Sequence, residues 1–123
     1  MVRKYEESDF ESIRGWGKAW GADYDKDLFP PLGYIYPGVA AYFIYESPCK
    51  VCWLENMVSN PDVPQELKEQ ALQQVVTEVL KEVHRLGYKV AYATTDNKAV
   101  INRAVAHKAS AKEGQTLLTL AFK

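Results

Sequence analysis

The chain is poor in cysteine, histidine and net charge. Two cysteines and two histidines in 123 residues are too few and too scattered to close a structural zinc site, which needs four converging ligands. Fifteen basic side chains against sixteen acidic ones leave a net charge of −1 and a pI of about 6.1. That balance denies the basic field that holds a nucleic-acid backbone, so nucleic acid is not an expected partner. Long apolar runs are missing too. The longest stretch without a charge, residues 28–45, is broken by Pro30, Pro31, Gly33, Pro37 and Gly38, short of the ~18–20 apolar residues of a membrane-spanning helix. Residues 1–15 are charged and polar rather than leader-like. The expectation is a cytoplasmic protein without a membrane partner.

The cysteines that do occur, Cys49 and Cys52, have C-x-x-C spacing. A redox pair of that spacing belongs between a strand and a helix N-terminus, where the dipole lowers a thiol pKa. These two follow Glu46-Ser47-Pro48, a hairpin signal, and lead into a strand. They read as structural. Apolar residues make up 47% of the chain, enough for a core at this length and consistent with one domain over 1–123.

Periodicity supplies the element order. A short strand over 1–5 precedes a helix capped by Ser8 or Asp9, with Phe10, Ile13 and the Trp16–Trp20 stretch on its buried side. Gly15, Gly17 and Gly21 weaken that helix, and a break is expected near Gly17. Residues 22–31 form a loop ending in Phe29-Pro30-Pro31. Strands follow over 33–36 and 39–46, separated by the turn signal Pro37-Gly38. A third runs over 51–58, and these short connections predict antiparallel pairing.

Beyond Ser59-Asn60-Pro61-Asp62, Leu67, Ala71, Leu72, Val75, Val76, Val79, Leu80, Val83 and Leu86 recur at steps of three and four. They define a helix over about 64–86 closed by Gly87. A strand over 90–95 comes next. A short helix then runs from a cap at Asp96 or Asn97 to His107. A strand start at 110–112, a turn at Glu113-Gly114 and a final strand over 115–122 complete the chain. The order is β-α-β-β-β-α-β-α-β-β, an α+β fold with a mixed, mostly antiparallel sheet and helices on both faces. A strand, crossover helix and parallel strand leave the helix N-terminus, with its free N–H groups and dipole, favourable to an anion.

This order, with Leu32-Gly33-Tyr34-Ile35, Gly38-Val39-Ala40-Ala41, Trp53-Leu54-Glu55-Asn56-Met57-Val58-Ser59-Asn60-Pro61, Gln70-Ala71-Leu72 and Gly87-Tyr88-Lys89, resembles the GNAT N-acetyltransferases. Among them it is most similar to small GNAT-like proteins encoded by bacteriophages, which implies a host cytoplasm as location. The resemblance implies acetyl-CoA as cofactor and an amine as acceptor. It implies that Met57, Val58 and Ser59 hold the pantetheine arm through their backbone. The family's pyrophosphate loop, Q/R-x-x-G-x-G/A, falls within residues 65–72, placing Lys68, Glu69, Gln70 and Ala71 at the phosphates. No glycine stands there, and Glu66 and Glu69 flank the cation Lys68. A Cβ crowds a backbone that must touch phosphate oxygens. Where the family often has a tyrosine as general acid, upstream of a Gly-Phe pair, this chain has Ala104 and Lys108-Ala109. Asn97 matches a family asparagine that contacts the cofactor arm, and reads equally as an N-cap.

Glu55 is the candidate base. It lies on the strand leading to the cofactor site, and alternation over 53–58 puts Trp53, Glu55 and Met57 on one face and Leu54, Asn56 and Val58 on the other. Burial beside apolar neighbours is the usual way to raise a carboxylate pKa toward a base's working range. The alternative is a surface glutamate paired with a cation. Trp20, Tyr24, Phe29 and Tyr34 are candidates for the acceptor side, although tyrosines also suit core rims. His84 reads as solvated and His107 as a helix C-terminal cap. Two functions remain: acetyl transfer from acetyl-CoA to an amine, or a catalytically degenerate GNAT scaffold that binds a host protein. The final strand, 115–122, is a candidate edge for a homodimer.

Overall fold

The structure is a computed structural model that describes residues 1–95, 97–106, 109–112 and 114–122. The expectations at Asp96, His107, Lys108 and Glu113 lie outside the described residues. The chain divides into two compact units, Met1–Tyr92 and the part from Ala93 onward.

The first unit is built on five strands in the order β1 (Arg3–Lys4), β2 (Gly33–Tyr36), β3 (Ala40–Tyr45), β4 (Val51–Ser59) and β5 (Val90–Tyr92). The first four pair antiparallel, and β5 runs parallel to β4. Helix α1 (Phe10–Ala19) follows β1, and helix α2 (Gln65–Arg85) crosses over between β4 and β5. Along β3, Ala41 and Phe43 pack with Ile13 and Trp16 of α1, whereas Tyr42 and Ile44 pack with Val75, Val76, Val79 and Val83 of α2. Successive strand side chains point to opposite faces, so the two helices cover opposite sides of the sheet. β3 carries both cores, and Ala40 to Ile44 are all buried.

Helix α1 runs through Gly15 and Gly17 without the expected break. A Cβ on Gly17 would lie 2.4 Å from the Tyr24 ring. The glycine therefore admits Tyr24 against the helix, and packing outweighs its poor propensity. Asp9 occupies the cap position but makes no side-chain cap bond to α1. It receives two bonds from Arg3, at 2.8 and 2.9 Å, and one from the Glu6 backbone N–H. Helix α2 buries Ala71, Leu72, Val75, Val76, Val79 and Val83 as its stripe predicts, together with one charge, Glu82. Two bonds from Arg85, at 2.6 and 2.8 Å, hold the Glu82 carboxyl below its ordinary range, and Lys4 at 3.8 Å assists. His84 is exposed, as expected of a solvated histidine.

The second unit contains helix α3 (Lys98–Ala106). Strand β5 ends at Tyr92 rather than residue 95, and neither 110–112 nor 115–122 is a strand. Alternation makes a strand only where a ladder forms and one face is covered. Leu118, Leu120 and Phe122 are instead 83%, 80% and 89% exposed. Among the described residues, no helix is long and apolar enough to cross a membrane.

Candidate active site at the outer end of β4

The pairing of β4 with β5 stops at Trp53 and Tyr92, while β4 continues to Ser59. Beyond Trp53 no described strand lies on that side of β4. Just past the divergence the strand bulges. Glu55 pairs with Phe43 and Val58 with Ala41, so Asn56 and Met57 together face Tyr42. Asn56 has φ +60, the left-handed region that asparagine tolerates better than other side chains carrying a Cβ. Its Nδ2 donates to the Tyr45 hydroxyl at 2.5 Å, and that hydroxyl donates to the Leu28 carbonyl at 2.9 Å. The relay ties the bulge to the loop after α1.

The bulge overturns the expected alternation, because one extra residue resets the pleat. Directly opposed residues share a face, so Glu55 and Val58 both lie on the α1 side with Phe43 and Ala41. Met57 packs with the α2 clusters instead. Glu55 is half-buried, and its charge helps raise the phenols of Tyr42 and Tyr45, both pushed up first by burial. Tyr45 and Asn56 were not anticipated as site residues. The only hint was an asparagine, a poor strand former, inside an apolar strand.

Hydrogen-bond parity shows which backbone groups face outward. Ile44 N–H donates to Leu32, which turns the even residues of β3 toward β2 and the odd ones toward β4; Asn60 N–H donates to Val39 at 2.7 Å in agreement. Pairs alternate in an antiparallel ladder, so the Val58 backbone turns inward to Ala41 and the Ser59 backbone turns outward. The Ser59 carbonyl accepts the Trp20 Nε1–H at 2.8 Å. Lys68 Nζ lies 5.2 Å from the centroid of the same indole.

The start of α2 stands beside this corner. Pro64 is its N-cap and gives no side-chain cap, so the N–H groups of Gln65, Glu66 and Leu67 have no partner within the helix. Lys68 N–H is already bonded to Pro64. Of the four residues expected at the phosphates, Lys68 alone combines a cation with this corner. Glu69 accepts from Gln65 Nε2 at 2.9 Å. Gln70 is exposed, and Ala71 is fully buried beside Val39, Ala40 and Leu72. The N–H groups of Gln70 and Ala71 fall within the helical ladder, one turn past the open ones. Asn97, in the second unit, caps α3, its Oδ1 accepting from Ala99 N–H at 2.9 Å and Val100 N–H at 3.4 Å.

The four aromatics expected on the acceptor side separate. Tyr24 and Phe29 stay together on the α1 face, with ring centroids 5.0 Å apart and Phe29 edge-on to Phe43 at 5.1 Å. Trp20 belongs to the Ser59 corner. Tyr34 pairs with Tyr42 and packs toward α2, on the opposite face of the sheet, because it is one register position off the α1-facing residues. Cys49 is exposed and Cys52 buried; both are free thiols, and Cys52 packs in the core. No cluster of metal-ligating side chains occurs among the described residues.

Exchanging Asn56 separates strain from bonding. Asn56→Ala places a Cβ without local hydrogen-bonding ability at φ +60 and removes the Tyr45 contact. The expected loss of stability is about 1–2 kcal/mol. Asn56→Gly removes only the contact and should lose less. Urea unfolding of both variants checks this, and a glycine variant less stable than the alanine one would contradict a left-handed bulge.

The chain matches no protein-family model and no curated protein sequence. Solved structures do match. A Trypanosoma brucei acetyltransferase has a TM-score of 0.70 at 13% identity, over 98% of this chain and 99% of that one. An aminoglycoside acetyltransferase from an uncultured soil metagenomic sample, solved with sisomicin, has 0.69 at 11%, over 100% and 96%. A GNAT-family acetyltransferase from Streptococcus pneumoniae has 0.70 at 11%, over 100% and 98%. With four antiparallel strands, β1 to β4, and β4 and β5 parting beside a crossover helix, this chain has the GNAT acetyltransferase fold.

Proposed function

We propose that the protein transfers an acetyl group from acetyl-CoA to an amine. The observation that carries this reading is the bulged outer end of β4, where β5 has diverged and the Ser59 backbone turns outward. An open strand edge accepts an extended, amide-bearing arm as it accepts a peptide strand. The residues fit the pantetheine arm better than the phosphates. The start of α2 offers three N–H groups and Lys68, but no glycine, and Glu66 and Glu69 oppose an anion.

When bound, acetyl-CoA supplies the thioester whose carbon the amine attacks. Glu55, on the α1 side opposite Phe43, takes the proton that the ammonium must lose before its lone pair can attack. Backbone N–H groups at the bulge polarise the carbonyl. With acetyl-CoA bound, the C–S bond would break as the C–N bond forms and the thiolate would take its proton from water, because the sequence position that matches the family's acid tyrosine holds Ala104.

A second reading, a GNAT scaffold that binds a protein, is favoured by the glycine-free, acidic start of α2. Calorimetric titration with acetyl-CoA separates the two. Micromolar, stoichiometric binding supports transfer, and thiol release with sisomicin, a polyamine and a lysine-bearing peptide then surveys acceptors. No heat at millimolar cofactor would sink the transfer reading in favour of a protein partner.

A further inference from the structure

We propose that Trp20 gates the outer end of β4, competing with the cofactor arm for the Ser59 carbonyl. This inference rests on the acetyl-CoA reading and adds a regulatory contact to it. Trp20 stands 39 positions from Ser59 in sequence, one residue past the end of α1. Its side chain is 58% exposed, so burial does not fix the indole there; the bond to Ser59 and the cation of Lys68 do. Both contacts touch what a CoA-like ligand needs. The Ser59 carbonyl is an acceptor on the open strand edge, and an arm adding to that edge must displace the indole N–H. Lys68 is a cation in the first turn of α2, and a phosphate that draws its ammonium away removes the cation from the ring face. One ligand therefore loosens both contacts at once: the arm through the carbonyl, the phosphate through the lysine.

The closed corner lowers the apparent affinity of the free protein, since only the open fraction binds. An exposed hydrogen bond of this kind and a cation over an indole are each weak. The gate is therefore modest and reversible, and it matches a site whose phosphate end lacks glycine. An occupant too short to span both contacts leaves the gate partly closed, which favours ligands that carry an amide arm and a phosphate together.

The test compares wild type with Trp20→Phe, which keeps a ring beneath Lys68 and removes the N–H donor. Acetyl-CoA titrations are expected to show about three- to tenfold tighter binding by the variant. In the free wild-type protein the Trp20 indole N–H, identified by its loss in the variant, should exchange with solvent about three- to tenfold more slowly than at saturating acetyl-CoA. Binding by the variant alone is the same result in its extreme form. If both proteins bind and the variant is equal or weaker, the gate is overturned while the acetyl-CoA reading stands. If neither binds, the acetyl-CoA reading falls and takes the gate with it. A thermal melt of the variant matching wild type shows that the comparison is between folded proteins.

Discussion

Glu55→Gln is expected to lower the transfer rate by about 10²–10⁴-fold while leaving the melting temperature and acetyl-CoA affinity near wild type. The substitution is nearly isosteric and removes one capacity, that of accepting a proton. Glu55 sits on the α1 face opposite Phe43, half-buried, and close enough to the Tyr42 and Tyr45 hydroxyls for its charge to act on both. If Glu55 is the base of the proposed transfer, the loss should appear in kcat rather than in cofactor binding. The check is thiol release at saturating acetyl-CoA with an amine that wild type accepts, where the variant should turn over far more slowly at an unchanged KM for the cofactor. Unchanged kcat in the variant would remove Glu55 from the mechanism and leave positioning by the bulge as the whole catalytic contribution.

The residues that were legible in the sequence and those that were not differ in the range of their interactions. The stripe from Ala71 to Val83 carries its own period, so α2 was readable to within a residue or two at each end. Strands β2, β3 and β4 were bounded by Pro37-Gly38 and Ser47-Pro48, turn signals that act locally. Alternation failed at Asn56 because a bulge depends on the pairing partner Tyr42, which lies on another strand. The break expected near Gly17 failed because Tyr24 packs against that glycine. The pattern of residues 115–122 was mistaken for a strand because period two describes a face, not the partner that must cover it. Within the candidate site, Glu55 was singled out through its strand and its apolar neighbours, and the structure sets it half-buried opposite Phe43. Trp20 was placed on the acceptor side because nothing near it in sequence points to Ser59. Tyr45 was one tyrosine among several, and its relay from Asn56 to Leu28 exists only once β3, β4 and the loop have come together.

The largest stability effect is expected at the residue beneath that same site. Phe43→Ala should cost about 3–5 kcal/mol, against a total of roughly 5–15 kcal/mol for a domain, and so bring the protein near its unfolding threshold. Phe43 is fully buried, and it meets Tyr5 edge-on at 4.9 Å and Phe29 at 5.1 Å. Across the ladder its ring lies against Gly33, where a Cβ would fall 2.6 Å from the ring edge. The backbone at Gly33 therefore cannot lend a side chain to fill the space, and the two aromatic partners are held by their own neighbours. A cavity there collapses poorly, which puts the cost toward the upper part of the range. Urea unfolding reads the change as a lower midpoint at unchanged slope. Leu118→Ala is the contrast: the same kind of truncation at a side chain 83% exposed should stay within about 0.5 kcal/mol. If Phe43→Ala costs less than about 1 kcal/mol, the α1-side core is loosely packed, and Phe29 then does not anchor the 22–31 loop. If it costs the expected amount, the residue opposite Glu55 and the anchor of that loop belong to one aromatic cluster. Substitutions that loosen this cluster should then erode transfer and stability together, whereas Glu55→Gln touches transfer alone.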